Sequence, residues 1–388
     1  MPVFVIWLLL IHTSVMTSWV HAHDDLLSRF PVPQADFEKH VAEMREYLLD
    51  TQLPSRGAGV VEYNLPFQIN ANEEVPYRGR YLLIHGLNDS PGVWRDAALQ
   101  LALRGYDTRA ILLPGHGNTP NAQLNVTYKM WLDAARAQLE FWQSDDVPFY
   151  IGGFSLGGVI ATTLALEYGS VDGLLLFAPA YHSTRHDQLR WASLVSIFKD
   201  YVFGGIIIED NPIKYNSIPI NAGAQYYKAT RYLRRIWGNR KLSMPVLMVA
   251  TFDDSVVSIK KVRDIFQHRF SSPDKRLVLY SNESETSRPN EIFRNSRYPQ
   301  YRILNQSHQG MIISPNNPMF GVAGSVLVCN GNEWEVFSTC LFYRQGPHWH
   351  GAAGTDSPDG VPVARSTFNP DFSFLMELHD QIFDGVER

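Results

Sequence analysis

An α/β architecture, with a mostly parallel central sheet and helices on both faces, is what this sequence predicts. Three observations carry that expectation. From residue 60 onward, short apolar runs alternate with stretches of helical periodicity, and the alternation resumes after residue 244. Strands buried on both faces read as such runs, with helices as their crossovers. One run leads through a glycine-rich turn, Gly152-Gly153-Phe154-Ser155-Leu156-Gly157-Gly158, straight into an apolar helix. Finally, the 388 residues are 45% hydrophobic and 19% charged, enough for a sizeable core and unlike a disordered, collagenous or coiled-coil chain.

Each element follows in order. Residues 1–22 contain no Asp, Glu, Lys or Arg, residues 3–11 are almost unbroken apolar, and Val20-His21-Ala22 resembles a signal-peptidase site. The run is short for a membrane span, so a secretory signal fits better than an uncleaved anchor, although the segment lacks a basic start. Export, periplasmic or secreted, is therefore expected, with membrane proximity through the N-terminus as the alternative. Residues 23–59 form a helical extension, in which Phe37, Val41, Met44 and Leu48 recur at helical spacing. Strands are expected at residues 60–63, 81–84, 108–113, 149–151 and 173–177, and helices at 93–103, 128–142 and 156–168.

The alternation then pauses over residues 181–243, where RWASLVSIFKDYVF and AQYYKATRYLRRIW both have helical periodicity. This stretch reads as a helical insertion above the sheet. Strands return at 245–250 and 276–280, so 60–180 and 244–315 together make the core. Residues 316–388 form an appendage that holds Cys329 and Cys340 and ends in a helix at 372–383. The cysteines lie eleven positions apart, in flanks that read as a hairpin around Asn-Gly. In an exported chain, a disulfide is favoured over two buried thiols.

Several function classes drop out early. The formal charge is −5 with no basic block, which argues against nucleic-acid binding. Two cysteines are too few for a zinc ribbon or an iron–sulfur cluster.

The chemistry converges on Ser155. A nucleophile on a tight strand-to-helix turn is forced into strained backbone, and only small residues two positions away avoid collision; Gly153 and Gly157 stand there. The turn would lift the hydroxyl above the sheet and set the Leu156 amide toward a developing oxyanion. Serine needs a base, and the base an orienting acid. Ala250-Thr251-Phe252-Asp253-Asp254 supplies two aspartates at the end of a later strand; Asp253 is the choice and Asp254 the close competitor. Of the 13 histidines, His308 is the one in a loop downstream of the acid and just after a short apolar run, Arg302-Ile303-Leu304. In Ile84-His85-Gly86-Leu87-Asn88-Asp89, the Leu87 amide is the second oxyanion donor, whereas His85, and His116 in Pro114-Gly115-His116-Gly117, read as structural.

The ordered set HGLND, PGHGNTP, GFSLGG, ATFDDSVV and SHQG resembles the α/β-hydrolase superfamily, in its monoacylglycerol-lipase and carboxylesterase (serine aminopeptidase-like) branch. The resemblance spans residues 78–315. It implies the α/β-hydrolase fold, Ser155 as nucleophile, Asp253 as acid, His308 as base, Leu87 and Leu156 as oxyanion amides, and residues 181–243 as a helical lid. The expected reaction is acyl transfer to Ser155 followed by hydrolysis, with no metal or organic cofactor. Trp191, Leu194, Ile197, Phe198, Tyr201 and Phe203 suggest an apolar roof; Trp191, Phe198 and Tyr201 are the substrate-binding candidates. The expected partner is a small ester with an apolar acyl chain, of short-to-medium length or a monoacylglycerol. Lysophospholipase, thioesterase or peptidase activity, or a non-catalytic envelope binding module, are the alternatives. No carboxylate cluster for a substrate amine stands out, and an intact triad speaks against the binding module.

Overall fold

The computed structural model describes residues 26–52, 58–207, 209, 211–329, 340 and 346–384. The expected signal segment and most of the expected cysteine hairpin lie outside these residues. Among the described residues, no helix is long and apolar enough to cross a membrane.

Eight strands make the main sheet: β1 (Phe67–Ile69), β2 (Gly79–Ile84), β3 (Tyr106–Ile111), β4 (Phe149–Phe154), β5 (Gly173–Phe177), β6 (Val246–Thr251), β7 (Lys275–Ser281) and β8 (Glu291–Asn295). Their order is β1-β3-β2-β4-β5-β6-β7-β8. All pairings are parallel except that of β1, which runs antiparallel to β3. After β2 the chain steps to one side for β3 and returns to the other for β4. Such a reversal opens a crevice at the carboxyl ends of the strands, here between β2 and β4.

The helices are α1 (Phe37–Thr51), α2 (Arg95–Ala102), α3 (Tyr128–Trp142), α4 (Leu156–Glu167), two single turns α5 (His186–Leu189) and α6 (Ala192–Val195), then α7 (Ile220–Trp237), α8 (Ile259–Arg269) and α9 (Phe372–Phe383). Side chains alternate across a strand, so the sheet carries two cores. Leu82 and Ile84 of β2 join α3, α4, α7 and α8 on one face. Tyr81 and Leu83 join α2 and α9 on the other. The α/β-hydrolase class expected from the sequence is the architecture found.

Local differences have physical reasons. Residues 60–63 were expected as a strand, yet Val61–Asn64 is a helical turn. Val61 packs with Met44, Leu48, Leu65 and Leu112, and that contact outweighs β propensity. The long helix expected at 190–203 is reduced to the single turn α6, because Trp191, Leu194, Ile197, Phe198 and Phe203 are exposed and give no buried face. Strand β8, polar and at the sheet edge, has no apolar run to announce it; buried Glu291 is held there by Arg263 at 2.7 Å.

Beyond the sheet, β9 (Trp349–Gly351) and β10 (Val363–Arg365) form a parallel pair. Ile303 bridges to His350, so the apolar run before His308 belongs to this small assembly and not to the main sheet. Cys329 and Cys340 form a disulfide with Cα atoms 5.5 Å apart, and both pack on Ala364 of β10. Residues 326–329 form no strand.

Candidate active site

Ser155 sits between β4 and α4 with φ 55° and ψ −114°, a backbone conformation costly for any residue but glycine. Its neighbours hold it there. The Ser155 amide donates to Phe177 O at 3.0 Å, and its carbonyl accepts from Ala180 N at 2.9 Å and Gly158 N at 3.0 Å. The expected glycines are sterically required. A methyl group at Gly157 would lie 2.0 Å from Ile84 O, and one at Gly153 2.6 Å from Gly157 O. These clashes with backbone tie the nucleophile turn directly to β2.

Two amides near the serine turn have no hydrogen-bond partner among the described residues. Leu156 opens α4, so its N–H has no intrahelical acceptor, and among the described residues it has no other. The Leu87 amide is likewise unbonded among the described residues. Its loop is set by His85, whose Nδ1–H donates to Gly86 O at 2.8 Å while Nε2 accepts from Leu113 N at 3.0 Å. That pair of bonds requires the neutral imidazole, and burial pushes the His85 pKa well below its ordinary value. His116 lies in T-shaped contact with His85, centroids 4.9 Å apart. Both are fully buried and structural.

His308 donates from Nδ1 to Asp254 Oδ2 at 2.6 Å, the two side chains only 6% and 3% exposed. The other oxygen of Asp254 accepts from Val256 N at 2.7 Å and Val257 N at 2.9 Å, which fixes the carboxylate. Asp253, expected on the histidine, points elsewhere. It accepts from Ser296 Oγ at 2.9 Å, and burial raises its pKa. β6 ends at Thr251 and the chain turns at Phe252 and Asp253, and this turn sends the two adjacent aspartates to different partners. The His308 ring tilts against Phe154, the residue before the nucleophile, with centroids 5.2 Å apart. The Ser155 hydroxyl makes no hydrogen bond to His308 in this structure.

Of the substrate-binding candidates, Trp191 and Phe198 are 56% and 83% exposed, and Tyr201 is buried with its hydroxyl on Asn121. The segment that does reach the site was not singled out by sequence reasoning. Residues 211–217 lie against it: Lys214 pairs with buried Asp89 at 3.0 Å, Tyr215 N donates to Asn88 O at 2.8 Å, and Asn211 donates to Gln309 at 3.4 Å. Also unforeseen is Ser366, just after β10. Its hydroxyl accepts from Ser307 N at 2.5 Å and its carbonyl from Ser307 Oγ at 2.5 Å, so the appendage grips the residue before His308. Single serines and lysines at such positions carry no motif that could have marked them. Among the described residues, no cluster of His, Cys, Asp or Glu could hold a metal ion.

A family model described as serine aminopeptidase, S33, matches residues 76–283. Among solved structures, the chain is similar to a metagenome-derived lipolytic enzyme of the LipS and LipT pair, at 19% identity over 55% of this chain and 86% of that one, with a TM-score of 0.47. It is also similar to a soluble variant of monoglyceride lipase from Saccharomyces cerevisiae in complex with a substrate analog (18% identity, 56% and 81% coverage, TM-score 0.45). A third likeness is to monoacylglycerol lipase from Paleococcus ferrophilus (16% identity, 55% and 87% coverage, TM-score 0.44). No curated protein matches the chain.

Proposed function

The chain belongs to the serine aminopeptidase S33 family of serine hydrolases, and from that premise we propose that it cleaves carboxylic esters through Ser155, His308 and Asp254. The observation that carries this reading is the 2.6 Å bond from His308 Nδ1 to Asp254, beside a serine held in strained backbone. With Nδ1 committed to the carboxylate, Nε2 is the nitrogen available to take the Ser155 proton. Ser155 Oγ attacks the ester carbonyl, and the unbonded amides of Leu87 and Leu156 receive the oxyanion. His308 then protonates the leaving alcohol, and afterwards activates the water that releases the acid. Asp254 holds the imidazole tautomer and stabilises its cation.

Short-to-medium acyl esters are the proposed substrates. An ester reading is favoured over a peptidase one because Asp89, a buried carboxylate on the loop after β2, is already paired with Lys214. The charge-free apolar N-terminus and the Cys329–Cys340 bond support an exported enzyme. Labelling with a fluorescent fluorophosphonate tests the reading. The wild type is expected to label, and Ser155→Ala and His308→Ala are not. A folded wild type that neither labels nor hydrolyses a series of 4-nitrophenyl esters would refute it.

A further inference from the structure

Beside His308 lies a cavity of about 190 Å³. Its modest size suits a small substituent. Its wall is mostly apolar, with Val256 and Val328 among the lining residues, and Lys214 and Arg365 are its lysine and arginine. Lys214 is neutralised by Asp89. Arg365 is different. Its guanidinium makes no hydrogen bond or ion pair among the described residues, and its Nη1 is fully buried.

An arginine in that state is costly unless something completes it, since a buried cation without partners loses hydration and receives nothing in return. Burial lowers its pKa, and the charge of Asp254 opposes that shift. The position is nevertheless built with care. Arg365 ends β10, and its amide donates to Val328 O at 2.8 Å, next to the disulfide. The following residue, Ser366, is bonded twice to Ser307. The side chain is thus carried by a strand fixed both to the disulfide and to the histidine loop.

We propose that Arg365 binds a carboxylate on the substrate, so that the enzyme selects short esters bearing one negative charge. The guanidinium fork matches a carboxylate in two hydrogen bonds. One unpaired cation in the wall balances a monoanion, whereas a phosphate dianion would leave a charge unmatched. Arg365 lies outside residues 76–283, so this selectivity comes from the appended part of the chain. The inference takes its chemistry from the ester-hydrolase reading, but the binding site can be tested apart from it.

Kinetics come first: 4-nitrophenyl butyrate against mono-4-nitrophenyl glutarate probes charge on the acyl side, and ethyl butyrate against butyryl glycolate probes it on the alcohol side. The wild type is expected to favour at least one anionic ester by about tenfold or more in kcat/KM. Arg365→Gln should lower kcat/KM for that anionic ester at least tenfold more than for its neutral partner, and Arg365→Lys should recover part of the margin. No anionic preference in the wild type, or equal losses on both esters in Arg365→Gln, would overturn the proposal; equal losses would mean that Arg365 acts through Asp254 and His308. If the folded wild type cleaves no ester, the hydrolase reading fails, and calorimetric binding of monomethyl glutarate to Ser155→Ala decides the Arg365 question alone. Binding weakened about tenfold by adding Arg365→Gln supports the site; its absence from Ser155→Ala, or its indifference to Arg365→Gln, removes it.

Discussion

Residues 76–283 and residues 302–384 both build the active site, but by opposite means. The first region does so through backbone sterics: β2, β4 and α4 press so closely that no side-chain carbon fits at Gly153 or Gly157, and the nucleophile turn has one shape. The second does so through a few side-chain bonds, Ser307 to Ser366 and His308 to Asp254, supported by a disulfide. A site clamped by backbone leaves a glycine signature in sequence. A site hung on scattered serines leaves none. The family match covers residues 76–283 and ends before His308.

The sharpest test of the contrast is at the aspartates where the regions meet. Asp254→Asn should lower kcat by roughly 10³- to 10⁴-fold, because an amide would favour the wrong histidine tautomer. Asp253→Asn should cost less than about tenfold, since it touches only Ser296 and Thr251. Steady-state turnover of 4-nitrophenyl butyrate separates them; a larger loss at Asp253 would reverse the assignment.

Next in size is the disulfide. Closing a loop between positions eleven apart restricts the unfolded chain by roughly 3 kcal/mol. Cys329→Ser with Cys340→Ser is expected to lower the thermal midpoint by several degrees. If the second region is held chiefly by this bond, amides around β9 and β10 should lose hydrogen-exchange protection well before those of β4. Uniform loss over both regions would erase the distinction.

Acid should strike the first region. His116 is buried, and desolvation depresses its pKa from 6.5 to about 4. The unfolded chain therefore binds more protons between those values. Stability from this group is complete above pH 6.5, and falls by up to roughly 3 kcal/mol as the pH drops to 4. His85 shifts in the same direction. Urea midpoints for the wild type and His116→Gln across that window should converge at low pH; parallel curves would exclude the histidine. The smallest effect expected is that of Ser366→Ala, about 1–2 kcal/mol of stability for the one buried hydrogen bond lost, from Ser307 N to the Ser366 hydroxyl.

The contrast also explains what could be read from the residues alone. The sheet strands were visible because burial on both faces makes them continuous apolar runs, as in Leu174-Leu175-Leu176-Phe177. Ser155 and His308 were singled out by glycine spacing and chain order. Choosing between Asp253 and Asp254 was beyond sequence, because it depends on the shape of the turn after β6, which no residue pattern marks. Arg365 was beyond it as well, since Ser366, the residue after it, meets Ser307 from 59 positions away along the chain, a contact reached only through folding. The aromatic stretch at 190–203 misled for the converse reason: its periodicity is genuine, but its apolar side chains are exposed.

The bonds from residues 214 and 215 to Asn88 and Asp89 have a consequence for the site. Leu87, whose amide would steady the oxyanion, is the residue immediately before that pair. Residues 211–217 cannot be displaced without breaking bonds to the two residues that directly follow Leu87, so a change on that segment would reach the loop beside Ser155.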